Sequence, residues 1–216
     1  MRVTAGKLKG RKLLENKFDH IRPTADVVKQ SIFNKLTYDI QDASVLDLFG
    51  GTGALGIEAY SRGAKKVVIV DKDFRSIKMI KENITNLKID EKCIRVYKAS
   101  YEDAIKRLEN EKFDIIIIDP PYKSGFYENA LKLIFKFNLL ANNGIIVCEH
   151  DKKDDFDYSP FQVIDEKIYG IKKVTYLSCF KDDLIHVFII SFMFIVIFIY
   201  RFVFICCNIF QFDCEL

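Results

Sequence analysis

The sequence predicts a doubly wound α/β domain on a mostly parallel, seven-stranded sheet. A basic hairpin precedes it and an apolar tail follows it. Three observations carry this reading. Short apolar runs alternate with helical stretches between residues 21 and 180. Several of those runs are nearly continuous in β-branched or large apolar residues, as strands buried on both faces of a parallel sheet require. A glycine-rich turn follows the first run directly, at the position where such folds pass from strand to helix.

The elements follow in order. Residues 1–20 read as a basic hairpin, with Gly6 and Gly10 as turn residues and Lys7, Leu8 and Lys9 alternating as in a half-exposed strand pair. Thr24 is placed to cap a helix whose apolar positions Val28, Ile32 and Leu36 recur every four residues. Strands are expected at Ser44–Phe49, Val67–Asp71, Ile94–Tyr97, Ile115–Asp119 and Ile145–Cys148. Val163–Tyr169 and Val174–Ser178, joined by a turn at Gly170, predict a terminal antiparallel hairpin. Three segments result: 1–20, the α/β domain 21–180, and the tail 181–216.

Charge is unevenly placed. Residues 1–35 hold nine Lys/Arg against three Asp/Glu, net +6, in a chain whose total is +3, so the remainder stands at −3. A basic segment on a mildly acidic body suggests a polyanionic partner met at one place; the competing reading is a solvated basic edge. The six cysteines form no CxxC pair and have no histidine at ligand spacing, so no metal is expected. A reduced, cytoplasmic setting is the simplest expectation, since residues 1–20 lack the apolar run of a signal peptide.

Gly51-x-Gly53-x-x-Gly56 follows Asp47-Leu48-Phe49, and Asp71 closes the next strand twenty residues after Gly51. Glycines there let backbone N–H groups approach a ligand, and an acid at Asp71 can accept hydrogen bonds from ribose hydroxyls. The pattern alone fits a nicotinamide or flavin cofactor as well as S-adenosylmethionine. Asp47 favours the second, because an acid beside the glycines repels a pyrophosphate but suits an ammonium group. The chain also leaves little room for the substrate region of a dehydrogenase.

Asp119-Pro120-Pro121-Tyr122 ends the fourth strand, at the carboxyl edge where ligands bind in such sheets. The prolines stiffen the turn. An exocyclic base amine is a poor nucleophile because its lone pair is delocalised into the ring. Asp119 and the carbonyl of Pro120 can each accept one of its N–H groups, which localises the lone pair and aims it at a sulfonium methyl. Tyr122 can stack on the base. These four residues are the candidate catalytic set, acting by positioning and electrostatics. The bland alternative is an ordinary strand-ending turn.

With both motifs in place, residues 1–180 resemble the bacterial 16S rRNA guanine-N2 methyltransferases of the RsmD type. The resemblance rests on Arg2-Val3-Thr4-Ala5-Gly6 with Gly10-Arg11-Lys12-Leu13, on Arg22-Pro23-Thr24, on Asp47 through Glu58, and on Asp119 through Tyr122. It implies a Rossmann-like class I methyltransferase, S-adenosylmethionine as donor, and a guanine of 16S rRNA as target, in an assembling small subunit and with the enzyme acting as a monomer. Arg22 and Thr24 would close over the cofactor. Arg2, Lys7, Lys9, Arg11 and Lys12 would grip phosphates. Many relatives carry an acid after the third strand to meet the adenine amine. This chain reads Ala99-Ser100-Tyr101-Glu102-Asp103, which leaves Ser100, Asp103 or a backbone group for that role.

Two other functions stay open at this point: methylation of an adenine amine in DNA or RNA, and non-catalytic RNA binding by the same fold. The tail is a separate matter. Residues 184–212 contain eight Ile and eight Phe and no Gly, Ala or Pro. It reads as a borderline membrane anchor, as a buried or partner-binding helix, or as the product of a frameshift or lost stop codon in an AT-rich gene. If it spans, Lys172, Lys173 and Lys181 keep the preceding domain in the cytoplasm.

Overall fold

The computed structural model describes residues 1–14, 23–121 and 125–179, with residues 23–25 described by backbone alone. Helix α1 spans Pro23–Lys35, and the chain then alternates β1 (Ser44–Asp47), α2 (Ala54–Ser61), β2 (Lys66–Asp71), α3 (Phe74–Asn86) and β3 (Ile94–Lys98). It continues through α4 (Tyr101–Arg107), β4 (Phe113–Ile118), α5 (Phe126–Lys136), β5 (Leu140–Asp151), β6 (Phe161–Tyr169) and β7 (Lys172–Cys179). The strands form one seven-stranded sheet in the order β3-β2-β1-β4-β5-β7-β6. β1 to β5 are parallel, and β7 runs antiparallel to both β5 and β6. The sheet and the terminal hairpin are those the sequence predicts.

Strand alternation sorts the core into two layers. Val45, Val67, Ile69, Ile115, Ile117 and Val147 face α1, α2 and α3. Leu46, Val68, Val70, Ile116, Ile118 and Cys148 face α4 and α5. Chain order reverses direction at β1, whose neighbours are β2 and β4, so the crevice at a topological switch point opens between the carboxyl ends of β1 and β4. Asp47 ends one of these strands and Asp119 follows the other.

Two local expectations change. The helix opens at Pro23, so Thr24 lies inside its first turn and does not cap it. Proline suits that first position because its missing N–H would be unpaired there anyway. The N-terminal segment is a clasp closed by a single antiparallel bridge, Arg2 to Lys12, around a 3₁₀ turn at Gly6–Leu8. It forms no strand pair because α2 takes the backbone donors a ladder needs. The Thr4 and Ala5 N–H groups go to the Glu58 carboxylate at 2.8 and 3.1 Å, and the Leu8 N–H goes to Ser61 Oγ at 2.9 Å. The expectations for residues 15–20 and for the tail 181–216 lie outside the described residues. Among the described residues, no helix is long and apolar enough to cross a membrane.

Candidate active site

The glycine loop links β1 to α2. Gly51 and Gly53 hold φ of 54° and 80°, the left-handed region that costs other residues energy. An added Cβ at Gly51 would meet only Phe49 O, at 4.0 Å, so the loop presents bare backbone there. Asp71, at the end of β2, clips the loop in place. One carboxylate oxygen accepts the Gly51 N–H at 2.8 Å and the other accepts the Asp73 N–H at 2.8 Å. Asp71 is only half-buried, and each carboxylate oxygen keeps a lone pair beyond the one used in the loop.

Gly56 has a different task from the two turn glycines. It sits within α2 against β2, where an added Cβ would come within 2.6 Å of Ile69 Cδ1. Its N–H donates to Asp47 Oδ2 at 3.2 Å. Gly56 therefore brings the helix close enough to hold the acid, and packing is what makes it a glycine.

Asp47 is fully buried, and its Oδ1 has no hydrogen-bond partner among the described residues. Burial pushes its carboxyl up to about 7, and the nearby charge of Asp71 adds to the shift. A buried acid with one unmet oxygen is completed by a cation. Together with the open backbone at Gly51 and the half-buried acid at Asp71, this donor set fits S-adenosylmethionine, whose ammonium and ribose need those groups.

Asp119 follows β4 beside Pro120, which is buried, and Pro121, which is exposed. Its carboxyl lies well above the usual range. Burial is the main cause, followed by the charges of Glu149 and Asp47, with Lys172 opposing. Among the described residues no ion pair holds Asp119; Lys172 pairs instead with Glu149 at 3.2 Å. Tyr122 and Arg22 lie outside the described residues, as does the side chain of Thr24.

Ser100 caps α4, its hydroxyl accepting the Asp103 N–H at 3.1 Å, while the Asp103 side chain is exposed. The hydroxyl thus already has a structural role, as serine commonly does at this position. Around the same crevice lies an aromatic group that sequence reading missed. Phe49 follows β1, Tyr101 opens α4 and Phe126 opens α5, with ring centroids 5.4 to 6.0 Å apart. Glu149 was missed too. It follows the apolar run Ile145–Cys148 as Asp119 follows Ile115–Ile118, so the strand-end acid was the available signal.

Arg2, Lys7, Lys9, Arg11 and Lys12 are all exposed on the clasp. Lys7 lies 3.4 Å over the Tyr60 ring, so part of its charge serves to seat the clasp on α2. The anchor beneath is Glu58, which is fully buried. It accepts from Thr4, Ala5 and the Arg62 guanidinium (2.7 Å) and lies 3.7 Å from Lys29 Nζ. Asn83 ties the end of the described clasp to the glycine loop: its amide bonds Leu14 N–H, Leu14 O and Thr52 O at 2.7, 3.2 and 3.1 Å.

The fold and the acid-flanked glycine crevice define a Rossmann-like class I methyltransferase. The family described as "Conserved hypothetical protein 95" matches residues 1–178. The chain belongs to this family, the RsmD type its sequence resembles. It is 40% identical over 155 residues to "Putative rRNA methyltransferase YlbH" of Bacillus subtilis, covering 71% of this chain and 84% of the relative. It is 35% identical over 173 residues to "Ribosomal RNA small subunit methyltransferase D" of Haemophilus influenzae, covering 79% and 90%. The solved structure of "Putative methyltransferase yhhF from Escherichia coli" superposes with a TM-score of 0.74 at 29% identity, covering 83% of this chain and 98% of that one.

Proposed function

We propose that this protein methylates the exocyclic N2 amine of a guanine in 16S rRNA, with S-adenosylmethionine as donor, in the cytoplasm and on an assembling small subunit. The observation that carries the reading is the pairing of two strand-end acids across the switch point. Asp47 lies beside the glycine loop and Asp119 beside the stiffened Pro120-Pro121 turn, on adjacent parallel strands. The names of the close relatives agree with it.

The cofactor supplies an electrophilic methyl on a sulfonium that leaves as a neutral thioether. Asp47 and the loop from Gly51 to Gly53 hold its amino-acid end, and Asp71 takes the ribose hydroxyls. Either Ser100, Asp103 or a backbone group meets the adenine. Asp119 and the Pro120 carbonyl accept the two amine hydrogens, so the nitrogen lone pair turns toward the methyl carbon. One nitrogen proton leaves as the N–C bond forms, with Asp119 its nearest acceptor. Tyr122 stacks on the base, and Arg22 and Thr24 close the cofactor side. Arg2, Lys7, Lys9, Arg11 and Lys12 hold the RNA backbone.

Residues 1–20 form the RNA clasp of this reading, 21–180 the catalytic domain, and 181–216 an appendage. Removing residues 182–216 leaves activity intact on this view; loss of methyl transfer by the truncated protein, if it still binds cofactor, would refute the appendage assignment. The test of function compares modified nucleosides of rRNA from cells with and without the gene. Loss of N2-methylguanosine from 16S rRNA is expected. Loss of N6-methyladenosine instead, or no change, would overturn the proposal.

A further inference from the structure

Helix α3 buries one side through Ile77, Ile80, Asn83 and Ile84. Phe74, Lys78, Lys81 and Thr85 recur at helical spacing along the other side, and all are exposed. A shallow groove of about 490 Å³ follows this stripe, lined by Phe74, Ile77, Lys78 and Lys81 among others. Phe74 is 64% exposed, although it opens the helix only three residues after Asp71. Lys98, at the end of the edge strand β3, holds its ammonium 5.3 Å from the Phe74 ring centroid. Among the described residues neither Lys81 nor Lys98 forms an ion pair. The pairs Lys78–Glu82 (3.9 Å) and Arg75–Asp73 (3.4 Å) are exposed, so they neutralise little. Residues 72–88 carry five Lys/Arg against two Asp/Glu, a local +3 inside a body that totals −3 beyond residue 35. The inner side of the same helix holds the clasp, where Asn83 accepts the Leu14 N–H at 2.7 Å. The stripe therefore extends the clasp's basic surface toward the crevice end of β2.

We propose that the outer stripe of α3 binds single-stranded RNA, with Phe74 as the platform on which one base stacks and Lys78, Lys81 and Lys98 as phosphate contacts. This rests on RNA being the substrate, and not on which base is methylated. A nucleic acid uses both halves of the stripe: phosphates meet the ammonium groups, and an unpaired base lays its flat face on an exposed ring. Paired bases are already stacked on one another and offer no such face, so the single strand is the form that fits. The lysine beside the ring adds a cation to the stack. A protein partner or a lipid surface calls for a contiguous apolar patch, whereas Phe74 is a lone ring among cations. A nucleotide held at Phe74 anchors the strand three residues from Asp71, at the mouth of the donor site.

The experiment measures binding of full-length protein to a fluorescent oligoadenylate of about 12 nucleotides, and to an RNA duplex of the same length, by anisotropy over a range of salt. Phe74→Ala should weaken the single strand about 10-fold, within the range alanine substitution gives for one stacked base. Phe74→Leu, which keeps an apolar side chain of similar bulk, should show most of that loss, while Phe74→Tyr should stay within about 2-fold of wild type. Duplex affinity should move by less than about 2-fold in all three variants. In Lys78→Ala/Lys81→Ala the slope of log K against log salt should flatten by about 1.4, at about 0.7 per lost contact. Wild-type affinity in Phe74→Ala, equal loss for strand and duplex, or a leucine variant as good as the tyrosine would overturn the stacking role. An unchanged salt slope would overturn the phosphate contacts. Titration with S-adenosylmethionine is the control: an equal fall in its affinity would move Phe74 into the donor site and defeat the proposal. A nucleoside comparison that came out against a 16S guanine would sink the target assignment without altering these binding ratios, so the two failures are told apart.

Discussion

The backbone N–H of Gly51 donates to the Asp71 carboxylate at 2.8 Å, so the tip of the glycine loop is fastened to the end of the neighbouring strand. The same carboxylate receives the Asp73 N–H, and Gly50 N–H reaches Val70 O at 2.8 Å. The loop is thus shaped by β2 before any ligand arrives. Asp71→Ala removes the side-chain acceptors of two backbone N–H groups and the proposed ribose contact together. We expect a loss of about 1–3 kcal/mol of stability and S-adenosylmethionine affinity weaker by roughly 10-fold or more. Calorimetric titration beside thermal melting checks both; unchanged affinity would remove Asp71 from the cofactor site.

Asp119→Ala should lower the methyl-transfer rate by about 10³-fold or more, because the variant loses the group that aims the amine and the nearest acceptor of its proton. Cofactor affinity should stay within a few-fold. Transfer of labelled methyl to rRNA, read beside cofactor titration, separates the two effects. A variant retaining a tenth of wild-type rate would show that another group aims the amine.

Asp47 gives a pH signature. Its folded value of about 7 lies above the 3.8 of an exposed carboxyl, so the fold favours the protonated form. The associated stability is present below about pH 4 and is lost as pH rises through about 7. At about 1.4 kcal/mol per unit, the loss between pH 5 and 7 is on the order of 2–3 kcal/mol in the cofactor-free protein. Asp47→Asn should flatten that part of the stability curve, seen in thermal melts at pH 5, 6, 7 and 8. Cofactor binding should raise stability more at pH 7.5 than at pH 5.5, because a cation favours the ionised acid. Parallel curves for wild type and variant would mean that Asp47 does not titrate there.

Gly56→Val places two methyl groups where even Cβ meets Ile69 Cδ1 at 2.6 Å. Overpacking of this kind costs about 1–3 kcal/mol and here also moves the N–H that holds Asp47. We expect a lower Tm and weaker cofactor binding from one substitution, whereas Gly10→Ala, with nothing within 4 Å, should leave cofactor binding alone.

The clasp is testable by salt. Lys9, Arg11 and Lys12 are exposed, so replacing all three by Ala should shift Tm by no more than about 5 °C (surface changes rarely exceed about 0.5 kcal/mol each). Affinity for a small-subunit rRNA fragment should fall, and the slope of log K against log salt should flatten by roughly 2, at about 0.7 per lost phosphate contact. An unchanged slope would return these residues to a merely solvated edge.

Much of the site was legible in the chain because strand-end positions are local. A run such as Val45-Leu46-Asp47 or Ile117-Ile118-Asp119 states its own burial and where it stops, and the two acids fall at the carboxyl ends of β1 and β4. The N-terminal clasp was read only in part. Its alternation suggests strands, but the acceptors that unmake the ladder are Glu58 and Ser61, more than fifty residues away. Asn83 carried no signal, since a polar residue inside α3 looks solvent-facing until Leu14 and Thr52 are seen to converge on it.

By itself, then, the sequence determined the order of strands and helices, the glycine turn and the acids that end β1, β2 and β4, because periodicity and turn chemistry are written within a few residues. Tertiary structure alone decided which distant groups share an environment. Asp47 becomes a weak acid only because α2 and the sheet close over it, and Glu149 joins Asp119 and Lys172 only because β5 lies between β4 and β7. Burial and charge coupling depend on separations in space, and no local pattern in a chain encodes those.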